Sequence, residues 1–253
     1  MQKINLIYFK DRSLHGNFGD EISKFITEQL IDKDKYELVF NQNNIPINIV
    51  CIGSYIHCAK NNSFIFGSGV RTPNNIENGH RYNSLNVCAV RGPLTGKFLS
   101  NRNIEVPGVY GDPALLLQKL YKPVKINNLS DKIGVIPHKT NYNFYVNKID
   151  TSRFYLIDPC DKWENVINCI YSCKTIVSSS LHGLICSDAY DIPNLWLDEY
   201  KLSEGDFKFR DYFASQNRKY IKIVNLNEYD SSLLYNGGNK IDLDRLVSAF
   251  PFL

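Results

Sequence analysis

The sequence predicts an α/β protein made of two parallel-sheet units that face each other across a cleft. Three observations carry this reading. Short apolar runs alternate with stretches whose apolar residues recur at helical spacing. Several of the runs close on glycine, as strands do when they feed a loop. The alternation breaks once, at residues 121–131, where Pro123, Asn127, Asn128 and Ser130 fall in a stretch without periodicity. The break divides the chain into a first unit over residues 1–122 and a second over residues 130–253.

In the first unit, the apolar run 4–9 is expected to be a buried strand. A turn containing Gly16 and Gly19 follows, and Ile22, Phe25, Ile26 and Leu30 then share one helical face. Residues 47–52 and 63–66 read as strands ended by Gly53 and Gly67. Residues 86–90 form another, and Pro93 starts a helix to about Ser100, because proline at the first helical position gives up an N–H that has no partner there. Val109-Tyr110-Gly111 ends a strand, and Asp112-Pro113 caps a helix over 114–120.

The second unit restarts with strands at 132–136 and 154–157. Asp161-Lys162-Trp163-Glu164 resembles a capping box with Asp161 as the cap, ahead of the apolar stripe Trp163, Val166, Ile167, Ile170 and Tyr171. A strand at 175–177, a helix at 180–190 and a strand at 193–197 follow. Leu243, Leu246, Val247 and Phe250 mark a last helix stopped by Pro251 and expected to pack back on the first unit. No internal sequence repeat is evident.

Composition narrows the function classes. A chain of 253 residues buries roughly 73% of its unfolded surface, enough for a core without disulfide or metal support. With 43% hydrophobic and 22% charged residues it is not disordered, collagenous or a coiled coil as a whole. A net charge of +3 lacks the basic bias of a dedicated nucleic-acid binder. The first apolar run is too short for a signal-peptide core, and no run approaches a membrane span. The seven cysteines are odd in number and form no C-x-x-C pair, so reduced thiols and a cytoplasmic location are expected. His15, His57 and His80 have no partner pattern, and neither a metal nor a cofactor is expected.

Ligands of parallel sheets bind beyond the carboxyl ends of the strands. Attention therefore falls on the loops after Phe9, Phe66, Val90, Tyr110, Ile136 and Val177. Ser178-Ser179-Ser180-Leu181-His182-Gly183-Leu184 passes from strand into helix. Hydroxyls and exposed N–H groups at a helix start suit an anion. His182 lies in the first turn, where the helix dipole disfavours imidazolium and lowers the pKa. Such a histidine suits proton transfer to or from a phosphorylated substrate; a helix cap with a packed histidine would give the same pattern. Arg91 follows a strand and precedes a helix, placed either to grip a carboxylate or phosphate with its guanidinium fork or simply on the surface. Gly67-Ser68-Gly69-Val70-Arg71 lets backbone approach a ligand, with Ser68 and Arg71 as its polar groups. Asn17 and Asp20 border the first Gly turn, which lacks the third glycine of a dinucleotide fingerprint; Asp20 either binds a sugar hydroxyl or caps the helix. Asp112 reads as a cap or a catalytic carboxylate, and His138 and Lys139 place two potential cations at a strand end.

Six stretches, in this order, resemble the polysaccharide pyruvyltransferase family: Asn17-Phe18-Gly19-Asp20-Glu21, Gly67-Ser68-Gly69, Val90-Arg91-Gly92-Pro93, Gly111-Asp112-Pro113-Ala114, Gly134-Val135-Ile136-Pro137-His138 and Ser178-Ser179-Ser180-Leu181-His182-Gly183-Leu184. The resemblance implies two Rossmann-like domains in a GT-B-like arrangement, with the acceptor on the first and the donor on the second. It implies transfer of pyruvate from phosphoenolpyruvate onto two hydroxyls of one sugar, giving a cyclic ketal and releasing phosphate. The implied acceptor is a polysaccharide precursor, often polyprenyl-diphosphate-linked, met at the inner face of the membrane. Many members carry an arginine two residues before the motif histidine; here Ser180 stands there, which is closer to the branch acting on bacterial exopolysaccharides or capsules. In this reading His182 and Arg91 are catalytic. Asn17, Asp20, Ser68, Arg71, Asp112, His138, Lys139, Ser178, Ser179 and Ser180 bind substrate. Two rival readings stand beside it: a nucleotide-sugar glycosyltransferase of the same architecture, and a glycan-binding protein without activity.

Overall fold

The computed structural model describes residues 1–10, 16–73, 82–198 and 205–253; His15 and His80 lie outside the described residues. Among them are ten strands and eight α-helices. The first half contains β1 (Gln2–Ile7), α1 (Phe18–Leu30), β2 (Tyr36–Phe40), β3 (Ile47–Val50), β4 (Ser63–Phe66), β5 (Leu85–Ala89), α2 (Pro93–Ser100) and α3 (Leu117–Leu120). The second contains β6 (Ile133–Ile136), α4 (Tyr142–Val146), β7 (Phe154–Leu156), α5 (Trp163–Ser172), β8 (Thr175–Ser178), α6 (Leu181–Ala189), β9 (Asn194–Leu197), α7 (Phe207–Ser215), β10 (Lys222–Ile223) and α8 (Leu243–Ser248).

The strands form two five-stranded sheets, β2-β1-β3-β4-β5 and β10-β9-β8-β6-β7, and each neighbouring pair is parallel. Numbered within its own sheet, each has the order 2-1-3-4-5, so one topology occurs twice in a chain without a sequence repeat. In this order the direction of winding reverses between the first and third strands, where open sheets form their ligand crevice. Those points are β1/β3, with Ile7 beside Val50, and β6/β8, with Ile136 beside Ser178. Strands β6, β8 and β9 are buried along their whole length, as parallel strands covered on both faces are, with Thr175, Ser178 and Asn194 the polar residues at their ends.

One hydrophobic cluster runs from Ile4 and Leu6 of β1 to Trp196 of β9. It crosses between the sheets through α1 and α5, where the Phe25 and Trp163 rings lie 4.7 Å apart. It also crosses through the 3-10 turn Pro113–Leu116, which contacts both α1 and α6. The C-terminal segment lies on the first sheet: Phe250 meets Phe66 at 5.1 Å, Phe252 meets Phe64 at 4.9 Å, and the Asp32 N–H donates to the Phe252 carbonyl.

Several local expectations change. The expected strand at 109–111 is only an isolated bridge between Val90 and Tyr110. The capping box is absent: Lys162 occupies the cap position of α5 without a side-chain bond, and Asp161, one residue too early, folds onto the Lys162 N–H and the Asn165 amide. The edge strands β2 and β10 and the helices α4 and α7 have no counterpart among the sequence-derived elements. All seven cysteines are free thiols. Among the described residues no helix is long and apolar enough to cross a membrane.

Candidate active site at the junction of the two sheets

At the end of β8 two hydroxyls tie the second crevice together. Ser178 Oγ donates to the Ile136 carbonyl at 3.1 Å and accepts the Ser180 N–H at 3.0 Å. Ser179 Oγ accepts the His138 N–H at 2.7 Å. Ser180 is the cap residue of α6, but its side chain caps nothing. The first-turn N–H groups therefore lack the side-chain acceptor that usually satisfies them.

His182 sits in that turn with its side chain 11% exposed. The N-terminus of α1 closes on it: a Cβ at Gly19 would collide with Nδ1, and the Phe18 ring lies edge-on at 6.4 Å. Only glycine at position 19 allows this approach. Asp112, fully buried, caps the 3-10 turn by accepting the Ala114 N–H at 3.0 Å through Oδ1. Its Oδ2 and the Nε2 of His182 are both buried without a hydrogen-bond partner, and they lie 3.9 Å apart. Gly53, in the loop after β3 with φ 87°, adds the third side: a Cβ there would lie 3.4 Å from Asp20 Oδ1 and 3.9 Å from His182 Cε1. The site thus gathers α1, the loop after β3, the 112 turn and α6, drawing on both sheets.

Burial drives the electrostatics. It lowers His182 to about 3, with the charges of Lys208 and Arg91 acting in the same direction. It raises Asp112 to about 6 against the opposing Ala114 N–H bond and the charge of Arg91. At neutral pH the imidazole is neutral and the carboxyl is mostly ionised, so the pair is not a salt bridge. Burial, rather than the helix dipole expected from the sequence, is the main cause of the histidine's shift.

Arg91 is turned inward, which removes the surface placement that the sequence left open for it. Its side chain is fully buried. Nε and Nη2 reach Asp211 Oδ2 at 3.1 and 3.0 Å, Nη1 donates to Ser54 Oγ at 2.6 Å, and Nη2 donates to the Val70 carbonyl at 2.7 Å. Asp211 also accepts the Thr95 N–H at 2.9 Å and the Thr95 hydroxyl at 2.6 Å, locking α7 to α2. A buried carboxylate 120 residues away has claimed the guanidinium.

The other predicted residues divide by position. Asn17 caps α1, accepting the Gly19 N–H at 3.1 Å. Ser68 is buried and holds the Gly53 loop, donating to the Gly53 carbonyl at 2.9 Å and accepting the Tyr55 N–H at 3.2 Å. His138 caps a short turn one strand away, and Lys139 Nζ lies 5.1 Å over the Phe9 ring beyond β1. Arg71 lies near Tyr55 and His57; burial first, and then the Arg71 charge, lower the His57 pKa. Sequence reasoning missed Ser54, Lys208 and Asp211. The last two lie on α7, whose Phe207-Lys208-Phe209-Arg210-Asp211 start carries no motif. Among the described residues no group of three His, Cys, Asp or Glu side chains is arranged to hold a metal ion.

Comparison with known proteins fits this architecture. An uncharacterised protein of Acanthamoeba polyphaga mimivirus is 27% identical over 226 residues, covering 83% of this chain and 77% of the relative. A functionally uncharacterised protein of Klebsiella pneumoniae, known from its crystal structure, shares the fold with a TM-score of 0.53 at 15% identity, covering 88% of this chain and 93% of that one. The sequence model of polysaccharide pyruvyl transferases matches residues 7–200, a span that holds every predicted site residue. The chain belongs to the polysaccharide pyruvyl transferase family.

Proposed function

We propose that this chain moves the pyruvyl group of phosphoenolpyruvate onto two hydroxyls of one sugar in a polysaccharide precursor, closing a cyclic ketal. The observation that carries the reading is the pair of buried, unpartnered atoms, His182 Nε2 and Asp112 Oδ2, at the meeting of both sheets. Burial inverts the ordinary order of the two groups, raising the carboxyl to about 6 and lowering the imidazole to about 3, and environments that drive paired pKa values apart mark acid–base sites.

The chemistry needs one proton delivered and two removed. Protonation at C3 of the enol draws on its π electrons and leaves oxocarbenium character at C2. The first sugar hydroxyl forms a bond to C2 and gives up its proton. Phosphate departs with the electron pair of its C2–O bond. The second hydroxyl then closes the ring, and its proton leaves on the phosphate. His182 carries the proton to C3 and recovers it from the first hydroxyl. The negative donor raises the imidazole's affinity for that proton, and Asp112 Oδ2 faces the resulting cation. The open first turn of α6 offers N–H groups to the phosphate, with Lys208 adding positive charge near the imidazole. Arg91 acts as a positioning residue, since it holds Ser54, beside Gly53, to α7. A lipid-linked acceptor met at the cytoplasmic membrane face is part of the same proposal.

Incubation with phosphoenolpyruvate and a panel of lipid-linked and soluble sugars tests it. The expected result is stoichiometric phosphate release and a pyruvylated sugar seen by mass. Transfer from a nucleotide sugar, with phosphoenolpyruvate left intact, would replace the reading with glycosyl transfer. Glycan binding without turnover of either donor would leave a binding protein.

A further inference from the structure

A cavity of about 340 Å³ opens at the far edge of the second sheet, lined in part by Tyr142, Tyr155, Asp158, Asp161, Val166 and Cys169. It lies beyond the carboxyl end of β7 and is separate from the His182–Asp112 pair. From β8, which leads to His182, across β6 to β7 is two strand spacings, about 10 Å. The cavity's floor is tied to the active site: between Asp158 and Cys160 the Pro159 carbonyl accepts the Phe18 N–H at 3.0 Å, and Phe18 packs against His182.

The lining selects a chemical class. It contains two phenols, two carboxylates and no lysine or arginine among the described residues, so it repels an anion such as phosphoenolpyruvate. Burial and the charges of Asp158 and Asp161 keep the Tyr142 hydroxyl protonated, hence a donor. The carboxylates retain acceptor capacity although Asp158 Oδ1 takes the Cys160 N–H and Asp161 takes Asn165. Phenol rings and acceptor oxygens in an open cavity match a ligand with both C–H faces and hydroxyl donors.

We propose that this cavity, on the second unit and not on the first where the resemblance implies the acceptor, is a subsite for an uncharged sugar unit of the acceptor glycan, one or two residues away from the sugar that receives the pyruvyl group. The position rests on the pyruvyl-transfer reading, whereas the ligand class rests on the lining alone. The subsite makes the enzyme select chain length: a disaccharide or trisaccharide acceptor reaches it and a monosaccharide does not.

Tyr142→Ala and Asp158→Asn in the full chain test this, with melting temperature as the check on folding. Glucose- and galactose-based mono-, di- and trisaccharides serve as acceptors with phosphoenolpyruvate as donor. Wild type is expected to show a lower KM for the longer acceptors. Each variant is expected to lose that advantage by about tenfold, the scale of one hydrogen bond, while the phosphoenolpyruvate KM and the monosaccharide kcat/KM stay unchanged. Equal chain-length dependence in wild type and variants overturns the subsite. If phosphoenolpyruvate is not turned over with any acceptor, the pyruvyl-transfer reading fails, and direct titration of the same oligosaccharides decides the subsite. Binding weakened about tenfold in the variants supports it; equal binding, or none at millimolar sugar, overturns it.

Discussion

Asp112 and Asp211 are both completely buried, yet the protein treats them in opposite ways. Asp211 is saturated, taking two guanidinium nitrogens of Arg91 and both the N–H and hydroxyl of Thr95. Asp112 keeps one oxygen bare, 3.9 Å from an equally bare imidazole nitrogen, and burial raises its pKa to about 6. A satisfied charge cluster fastens α7 to α2; an unsatisfied one is stored where the sheets meet. Buried polar atoms without partners are costly, and a fold retains them where they are used. The difference separates the brace from the proposed acid–base pair more clearly than residue type does, since the sequence reading named Arg91 beside His182 as catalytic.

The contrast breaks most visibly at Asp211. Asp211→Ala strands the buried Arg91 charge, and a loss of about 3–5 kcal/mol in unfolding free energy is expected. Urea denaturation measures it, and a shift within experimental scatter would show that the network does not brace the fold.

Asp112→Asn should go the other way. Its folded pKa, about 6, lies above the ordinary carboxyl value of 3.8, so the folded state favours the protonated form. The associated stability is present below pH 4 and lost as pH rises through about 6. The amide cannot ionise but still caps the turn, so it is expected to stabilise the protein at pH 7 by on the order of 3 kcal/mol relative to the ionised carboxyl. That gain should vanish near pH 4 while kcat falls at every pH. A destabilised Asp112→Asn protein at pH 7 would place Asp112 with Asp211 as a structural charge.

Arg91→Lys keeps the charge and loses the fork. A stability loss of about 2 kcal/mol is expected, with the phosphoenolpyruvate KM unchanged in the folded protein. A strongly raised phosphoenolpyruvate KM would return Arg91 to the donor site. The smallest effect belongs to Ser68→Ala. It frees the Gly53 loop from two hydrogen bonds, with about 1 kcal/mol lost and a severalfold drop in kcat, read from thermal melts and steady-state rates.

Much of this arrangement was legible in the sequence. The α/β class followed from apolar runs ended by Gly53 and Gly67, and the His182 turn stood out because a serine triplet joins a strand to a helix. The edge strand β2 did not, because Tyr36-Glu37-Leu38-Val39-Phe40 is half-buried and its charge interrupts the run. Asp211 was invisible for a different reason. Its partner lies 120 residues earlier, and no local pattern records a contact made only by folding. The twofold occurrence of one strand order was equally hidden, since topology persists where sequence similarity does not. The neutral state of His182 was anticipated in direction but not in cause, because burial is a tertiary property.

The central claim is that His182 carries the proton, and one protein tests it most directly: His182→Gln, with kcat and melting temperature measured on the same preparation. Loss of general acid–base help predicts a kcat lower by about 10²–10⁴. The melting temperature should be unchanged at pH 7. Below pH 6.5 the variant should melt higher than wild type, because wild type must keep its imidazole neutral down to about 3 and loses stability as pH falls through that window. A near-normal kcat together with a lowered melting temperature at pH 7 would identify His182 as a packing residue and contradict the account.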